Sequence, residues 1–305
     1  MRTTQFVPRF TGSLLTIATT VGLMLAMGLF ISPASAAVPG LVRISASSVL
    51  NQSEDFKDVT ATCPTGKNLV GTGFEITGGQ ARGEVVLDDL RPNGSPTTAP
   101  TAVSVRAHEA DPISVNWGVQ AHAICANSNA TLRRFSATSI LNGSEDFKTA
   151  TATCPVGKKL VGTGAEITGG RGEVVLDDLR PNGGPTLAPT AVTVGAYEAE
   201  PYMPDWTVTA YAICADPLPG LVQVTDSSDN SSTSPRAALM FCPTGKKLLG
   251  QGAEITGATG EVVFHALRSN GSPTVAPTFA FVEAYEEDPF TPTWTVTVYA
   301  ICADE

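Results

Sequence analysis

Residues 154–214 read CPVGKKLVGTGAEITGGRGEVVLDDLRPNGGPTLAPTAVTVGAYEAEPYMPDWTVTAYAIC. With two similar stretches, this sequence forms a set of three copies in the chain. The other copies run from Cys63 to Cys125 and from Cys242 to Cys302. The first copy is longer because it carries the inserted pair Gln80-Ala81. A repeat period of about 90 residues predicts an array of three similar structural units.

Within each copy the hydrophobic residues alternate with a period of two, which is typical of β-strands. In the middle copy this pattern predicts a weaker strand at 132–140 and five further strands at 147–154, 159–168, 173–180, 190–198 and 206–214. Turn signals rich in glycine and proline separate them. The sequence therefore predicts an all-β fold of three tandem antiparallel β-sandwich or barrel-like modules, each with one disulfide.

The module boundaries follow from the repeats. We expect a signal peptide at 1–36 and modules at 37–129, 130–217 and 218–305. Short turn-forming segments join the modules, so the modules lie close to one another. Two arrangements fit this spacing, namely independent domains or three units packed around a pseudo-threefold axis.

The first 36 residues have the features of a secretory signal peptide. Arg2 and Arg9 give a positive start, an apolar run follows, and Ala34-Ser35-Ala36 has the pattern of a cleavage site. The apolar run is nearly long enough to cross a bilayer, so an uncleaved membrane anchor is the alternative. We expect cleavage, and therefore a secreted, extracellular protein without stable membrane insertion.

Each repeat holds two of the six cysteines. An even number of cysteines in an exported chain indicates disulfides, and six cysteines allow fifteen pairings. One pairing leaves every repeat self-contained, and it joins Cys63 to Cys125, Cys154 to Cys214 and Cys242 to Cys302. A zinc site is the rival interpretation, but the chain has no C-x-x-C pair and only three histidines.

Charge and motifs exclude several function classes. The formal net charge of −10 argues against nucleic acid and anionic membranes as partners. The sequence contains no nucleophile elbow, zinc-protease motif or phosphate-binding loop. His108, His122 and His265 each lack a histidine counterpart in the other repeats. We therefore predict a non-enzymatic protein without a cofactor, with a secreted hydrolase as the less favoured alternative.

Acidic residues and an arginine recur at equivalent positions. They are Glu75/Glu166/Glu254, Glu109/Glu198/Glu286 and Arg91/Arg180/Arg268. We interpret them as a carboxylate–guanidinium clamp in each repeat, with a ligand site as the alternative.

The pair Asp88-Asp89 and its equivalent Asp177-Asp178 are replaced by His265-Ala266 in the third repeat, so the fold does not require them. Neighbouring strand residues point to opposite faces, which disfavours joint metal binding by such a pair. Asp88 and Asp177 are therefore only weak calcium candidates, each acting with loop carbonyls.

Every copy carries a G-x-G sequence, represented by Gly162 and Gly164 in the middle copy. Glycines two apart leave one strand face bare, and we expect an aromatic ring to fill it, most simply the single tryptophan of the repeat. A dinucleotide-binding loop is the alternative, but it requires a following helix that the pattern does not predict.

The loops before the tryptophans vary most between copies, and proline stiffens each of them. We interpret Ile113, Tyr202 and Phe290 as apolar loop tips that contact a ligand, with Asp205 beside Tyr202 as a hydrogen-bond acceptor. An aromatic tip suits stacking on a sugar ring. We therefore expect a binding module for polysaccharide or cell wall. The alternative is an extracellular structural or envelope-associated protein.

The string CPxGKxLVGxGAEITGGxGEVVLDDLRPN, followed by WTVTAYAICA, resembles repeat modules of uncharacterised secreted proteins from actinobacteria. The resemblance covers residues 39–305, and the third copy departs from it at His265-Ala266. It implies an exported, disulfide-linked β-module and supplies no catalytic residues.

Overall fold

The computed structural model describes residues 38–305 apart from Ser53 and Gln80. The predicted signal peptide lies outside the described residues. All of the described residues belong to one compact unit. Within the described part, no helix has the length and apolar character that crossing a membrane requires.

The described residues form eighteen strands, six in each repeat. The first repeat has β1 (Val42–Ser47), β2 (Phe56–Thr62), β3 (Lys67–Thr77), β4 (Val85–Pro92), β5 (Ala102–Glu109) and β6 (Gly118–Asn127). The second has β7 (Arg133–Thr138), β8 (Phe147–Thr153), β9 (Lys159–Thr168), β10 (Val174–Pro181), β11 (Ala191–Glu198) and β12 (Thr207–Ala215). The third has β13 (Val222–Ser227), β14 (Arg236–Phe241), β15 (Lys246–Thr256), β16 (Val262–Ser269), β17 (Phe279–Glu286) and β18 (Thr295–Asp304). The strands predicted for the middle copy are confirmed.

Each repeat is a small sandwich of two three-stranded halves, as the second repeat shows. Its halves are β7-β12-β9 and β8-β11-β10. Lys148 on β8 reaches across to the opposite half, where its Nζ lies 4.1 Å from the ring centroid of Trp206. Trp206 and its equivalents Trp117 and Trp294 are fully buried. The all-β, antiparallel fold class is therefore confirmed.

The predicted disulfides are also confirmed, and each one joins the two halves of its own sandwich. The bonds are Cys63–Cys125, Cys154–Cys214 and Cys242–Cys302. The Cα atoms of the first two pairs are 5.7 Å apart, within the usual range for a disulfide. Closing loops of this length is expected to stabilise the folded state by about 4 kcal/mol each.

Neighbouring repeats extend each other's halves into six-stranded sheets, which we name by the repeats they join. The 1–2 sheet has the order β2-β5-β4-β9-β12-β7, the 2–3 sheet β8-β11-β10-β15-β18-β13, and the 3–1 sheet β1-β6-β3-β16-β17-β14. The line where the two repeats meet is called the seam. At the seam of the 1–2 sheet, only Asp89 and Leu90 of β4 pair with Glu166 and Ala165 of β9.

The G-x-G glycines allow the three repeats to meet. A Cβ atom on Gly162 would lie 2.0 Å from the carbonyl oxygen of Val70 in the preceding repeat. Gly71 approaches Leu249 and Gly250 approaches Val161 in the same way. The prediction that a tryptophan ring fills the glycine groove is wrong, because the backbone of the adjacent repeat occupies that space. The cyclic order of these contacts defines a pseudo-threefold axis.

A ring of buried hydrogen bonds closes around this axis. Thr72 Oγ1 donates to the carbonyl of Thr163 over 2.7 Å, and Thr163 Oγ1 donates to the carbonyl of Gln251 over 2.5 Å. Gln251 Nε2 donates to the carbonyl of Thr72 over 2.9 Å, and this bond completes the ring. Because buried polar groups are costly without partners, this ring favours the closed arrangement of three repeats. Each repeat thus has its own sandwich core, and all three repeats also contact one another at the pseudo-threefold axis.

Candidate binding clefts at the seams

A β-bulge lies beside each seam and changes the direction of its side chains. In the 1–2 sheet the register shifts between Leu87 and Asp89, which makes Asp88 the extra residue. A bulge re-aims the side chains around it. Asp88 and Asp89 therefore line one cleft instead of pointing to opposite faces of the sheet, which corrects the expectation from a regular strand.

The cleft of the 1–2 sheet has a volume of about 430 Å³ and is built by two repeats. The first repeat supplies two carboxyl groups, two arginines and a histidine, and the second supplies a glutamate and an arginine. These residues are Asp88, Asp89, Arg91, Arg106, His108, Glu166 and Arg171. Neither repeat forms this site alone.

The predicted carboxylate–guanidinium clamp joins neighbouring repeats and does not lie within one repeat. Arg91 on β4 donates to Glu166 Oε1 on β9 over 3.0 Å. The hydroxyl of Tyr211 also donates to Glu166, and the guanidinium of Arg134 lies 4.6 Å from the Tyr211 ring centroid. Tyr211 is buried among these contacts.

Burial sets the protonation of the two aspartates. Burial, reinforced by the charge of Asp89, raises the pKa of Asp88 to about 8. Burial and the nearby Glu166 raise the pKa of Asp89 to about 6. Near pH 7 the cleft therefore presents a protonated carboxyl that donates a hydrogen bond beside a carboxylate that accepts.

The seam of the 2–3 sheet carries an equivalent aspartate pair, with Gly195 opposite Asp178 where Arg106 stands opposite Asp89 in the 1–2 sheet. Burial raises the pKa of Asp177 to about 8 and that of Asp178 to about 6, as in the first cleft. Arg180 donates to Glu254 Oε1 over 3.1 Å, and the Tyr299 hydroxyl donates to the same glutamate.

An aromatic ring stands at the same place in both clefts. In the 2–3 sheet Tyr197 stacks on Phe147 at 4.2 Å between ring centroids. In the 1–2 sheet His108 lies 5.4 Å from Phe56, and His108 Nε2 lies 3.7 Å from Asp88 Oδ2. The two clefts thus combine acids and rings in one arrangement.

Calcium at Asp88 or Asp177 stays a prediction. Binding of a cation there would have to displace the proton that burial retains on each carboxyl group. Among the described residues, no group of three histidine, cysteine, aspartate or glutamate side chains is placed to hold a metal ion.

The loop residues predicted as ligand contacts lie partly against the core. Ile113, Tyr202 and Phe290 are half-buried and pack on core residues, while Asp205 is exposed. The Tyr202 hydroxyl donates to the carbonyl of Gly169, so this ring is held in place. These side chains are therefore not free tips, and the seam clefts offer more polar groups to a ligand.

Glu198 holds the loop of the second repeat. One oxygen accepts from Trp206 Nε1 over 2.8 Å, and the other accepts from the backbone N–H of Tyr202 over 3.0 Å. Glu109 and Glu286 do the same in their repeats. Glu109, Glu198 and Glu286 thus have a structural role, because each accepts a hydrogen bond from the indole N–H of the buried tryptophan in its repeat.

The aspartates predict a pH-dependent stability. The folded state keeps protons on Asp88 and Asp177 up to about pH 8, whereas an unfolded aspartate releases its proton near pH 3.9. The free energy of unfolding should therefore fall as the pH rises from about 6.5 to 8.5. His108, His122 and His265 have lowered pKa values and the opposite sign, but the rise in stability that they cause with increasing pH is over by about pH 6.5.

The measurement is the melting temperature across this pH range. The double variant Asp88→Asn/Asp177→Asn should show a flatter profile, because neither amide titrates. A melting temperature that rises between pH 6.5 and 8.5 in the unsubstituted protein would contradict the assigned burial of these carboxyl groups.

Comparison of the chain with protein families gives no match. Comparison with curated proteins gives no match either. The function of this protein therefore has to be inferred from the chemistry of its own clefts.

Proposed function

We propose that this is a secreted, non-enzymatic protein that binds polysaccharide, such as cell-wall or envelope glycan, at its two acidic clefts. The observation that carries the proposal is the recurrence of one set of acids, with a clamp arginine, at the seams of the 1–2 and 2–3 sheets. Three disulfides are compatible with an extracellular protein and support the secretion that the leader sequence predicts.

The groups in each cleft suit sugar hydroxyls. A hydroxyl both donates and accepts hydrogen bonds, and near pH 7 each cleft pairs a protonated aspartate with a carboxylate and an arginine. Asp89 and Arg91 represent this set in the 1–2 sheet, and Asp178 and Arg180 represent it in the 2–3 sheet. The rings of His108 and Tyr197 lie beside the acids.

Duplication favours a repetitive ligand. Two equivalent sites on one rigid chain raise the apparent affinity through effective concentration, provided that both sites reach the same polymer. Both seams belong to the one compact unit formed by the described residues, which fixes the two clefts relative to each other. A polysaccharide presents the many identical units that such an arrangement exploits.

One observation favours a hydrolase as the second candidate. Asp88 and Asp89 lie in one cleft with pKa values of about 8 and about 6. Carboxyl groups whose pKa values are pushed apart are the usual acid and base of glycoside hydrolysis. Release of new reducing ends from a bound polysaccharide, lost in Asp88→Asn, would favour this candidate over simple binding.

A pull-down of the mature protein on insoluble peptidoglycan, chitin and cellulose tests the proposal. We expect retention on at least one polymer, and we expect Asp89→Asn/Asp178→Asn to reduce it about tenfold or more through loss of charged hydrogen bonds. The loop variant Tyr202→Ala/Phe290→Ala is the matched comparison, and its retention should change little.

Retention that depends on the loop residues and not on the aspartates would move the site to the loops. Absence of binding to all three polymers and to a glycan array would favour the structural, envelope-associated alternative.

A further inference from the structure

The cleft of the 1–2 sheet carries two arginines that the equivalent seam of the 2–3 sheet lacks. Arg106 on β5 has Gly195 as its counterpart on β11. Arg171, in the turn before β10, lines the same cleft from the second repeat, and its counterpart in the third repeat is Thr259. The two seams share their aspartates and their clamp arginine, so these two positions are where their chemistry differs.

The additional arginines decide the net charge of the 1–2 cleft near pH 7. Asp88 keeps its proton and adds no charge, whereas Asp89 and Glu166 contribute two carboxylates. Three guanidiniums line the same cleft. Three positive charges against two negative charges leave one positive charge in excess.

The 2–3 seam has the opposite sign. Asp178 and Glu254 contribute two carboxylates, and the single guanidinium is that of Arg180. Gly195 and Thr259 add no charge. One positive charge against two negative charges leaves one negative charge in excess, so the two seams attract ligands of different charge.

The guanidinium of Arg106 is oriented but unpaired. It lies 5.4 Å from the ring centroid of Phe56, which covers one of its faces. Asp58 stands opposite on β2, yet the guanidinium forms no ion pair or hydrogen bond with any described residue. Its Nε is buried, whereas its terminal nitrogens are not. The N–H groups of these terminal nitrogens, which lie in the plane of the guanidinium, can therefore donate to a ligand in the cleft.

Arg171 approaches the same part of the cleft from the second repeat. Its side chain is exposed, and among the described residues it has no ion-pair partner. Burial lowers the pKa of His108, and the charges of Arg106 and Arg171 lower it further, against the opposing charge of Asp55. Both guanidiniums thus act on one neutral ring, which places them on the same side of the site.

Two unpaired guanidiniums beside a carboxylic acid suit a ligand that carries a carboxylate. Arginine N–H groups bind carboxylates through charge-assisted hydrogen bonds. The protonated carboxyl of Asp88 offers a further donor, and the carboxylate of Asp89 is left to accept from a hydroxyl. The volume of about 430 Å³ lies in the range of small-molecule sites. The excess positive charge matches the single negative charge of a uronic acid.

We infer that the 1–2 cleft selects an acidic sugar, with its carboxylate held by Arg106 and Arg171 and a hydroxyl held by Asp89. The 2–3 seam lacks both arginines and has no such preference. A polymer that contains acidic and neutral units presents a partner to each. This inference rests on the proposed function, since it takes the ligand to be a polysaccharide, and it names the class of sugar that the 1–2 cleft binds.

Calorimetric titration of the mature protein with acidic oligosaccharides tests this inference. The probes are oligomers of galacturonate, alginate and hyaluronan, each compared with its methyl ester, which keeps the sugar skeleton and removes the charge. We expect at least one acid to bind about tenfold or more tightly than its ester. Arg106→Thr/Arg171→Asn should remove this preference. Threonine suits a strand, and asparagine tolerates the φ of 50° at position 171.

Arg82→Asn is the matched control. Arg82 is the counterpart of Arg171 in the first repeat, it is exposed in the same way, and it does not line this cleft. Its substitution removes the same charge from the protein, so a change in affinity caused only by net charge would appear in this variant as well. We expect the affinity for the acidic oligosaccharide to stay unchanged.

Equal affinity for acid and ester would overturn the inference, and so would a preference for the acid that survives Arg106→Thr/Arg171→Asn. Absence of binding to all three acids would also overturn it. Retention of the protein on chitin or cellulose in any of these cases would leave the proposed function standing. Absence of binding to every acidic and neutral glycan would overturn both.

Discussion

Gly162→Ala is expected to lower the free energy of unfolding by about 4 kcal/mol or more, which is exceptional for the addition of one methyl group. The new Cβ would lie 2.0 Å from the carbonyl oxygen of Val70 and 3.0 Å from its carbonyl carbon. Both atoms belong to the backbone of β3, which is paired with β6 and cannot move alone. The three repeats would have to separate at the axis to admit the methyl group.

Chemical denaturation of the two proteins measures this effect. Gly184→Ala is the matched control, because a Cβ at Gly184 meets no atom within 4 Å. We expect that variant to stay within about 0.5 kcal/mol of the unsubstituted protein. Equal stability of the two variants would show that β3, β9 and β15 do not meet as closely as the structure places them.

Features that depend on local sequence could be predicted well. The strands of the middle copy follow directly from alternation, since Val192, Val194 and Ala196 of β11 all face the core. The disulfides follow from the repeat itself, because Cys154 and Cys214 are the only cysteines in their copy. Neither inference requires knowledge of how the repeats contact each other.

Features that depend on contacts between repeats could not be predicted. Within one repeat, the glycines around Gly162 indicate only a packing groove. The close contact of Gly162 with Val70 arises only when the neighbouring repeat is in place. The bulge at Asp88 is a register shift between β4 and β5, and the residue pattern carries no direct signal of it. The sequence predicts a clamp between an arginine and a glutamate within one repeat, whereas Arg91 and Glu166 belong to neighbouring repeats.

The chemistry of the 3–1 seam differs from that of the other two seams, and comparison of the three copies reveals the difference. His122 stands where the other copies have Tyr211 and Tyr299. Phe281 likewise stands where the other copies have Ser104 and Thr193. Substitutions confined to one copy of a repeat mark positions where that copy has acquired its own chemistry.

The second repeat alone, residues 131–217, is expected to assemble into a closed trimer. In the full chain its β9 meets β4 of the first repeat and its β10 meets β15 of the third. Because β10 has the same sequence as β4, VVLDDLRP, each copy carries both complementary edges. A head-to-tail interface of this kind closes into a ring when its rotation is threefold.

Burial explains why the monomer should be disfavoured. Val161 and Thr163 are 0% exposed in the full chain, and both contact neighbouring repeats at the axis. They lie on β9, so a separated repeat would expose them to water. Three copies would bury them again and rebuild three acidic clefts, each with Asp177 and Asp178 of one copy beside Glu166 of the next.

The mass of the oxidised 131–217 polypeptide in solution, measured by sedimentation equilibrium, tests most directly whether the repeats form their sites jointly. If the repeats form their sites jointly, the polypeptide should have three times the mass of one repeat at micromolar concentration and should unfold cooperatively. Gly162→Ala in the same polypeptide should abolish the trimer, since the axis closes only around glycine. A well-folded monomer at the same concentration would contradict the account, because the repeats would then be independent domains that merely adjoin.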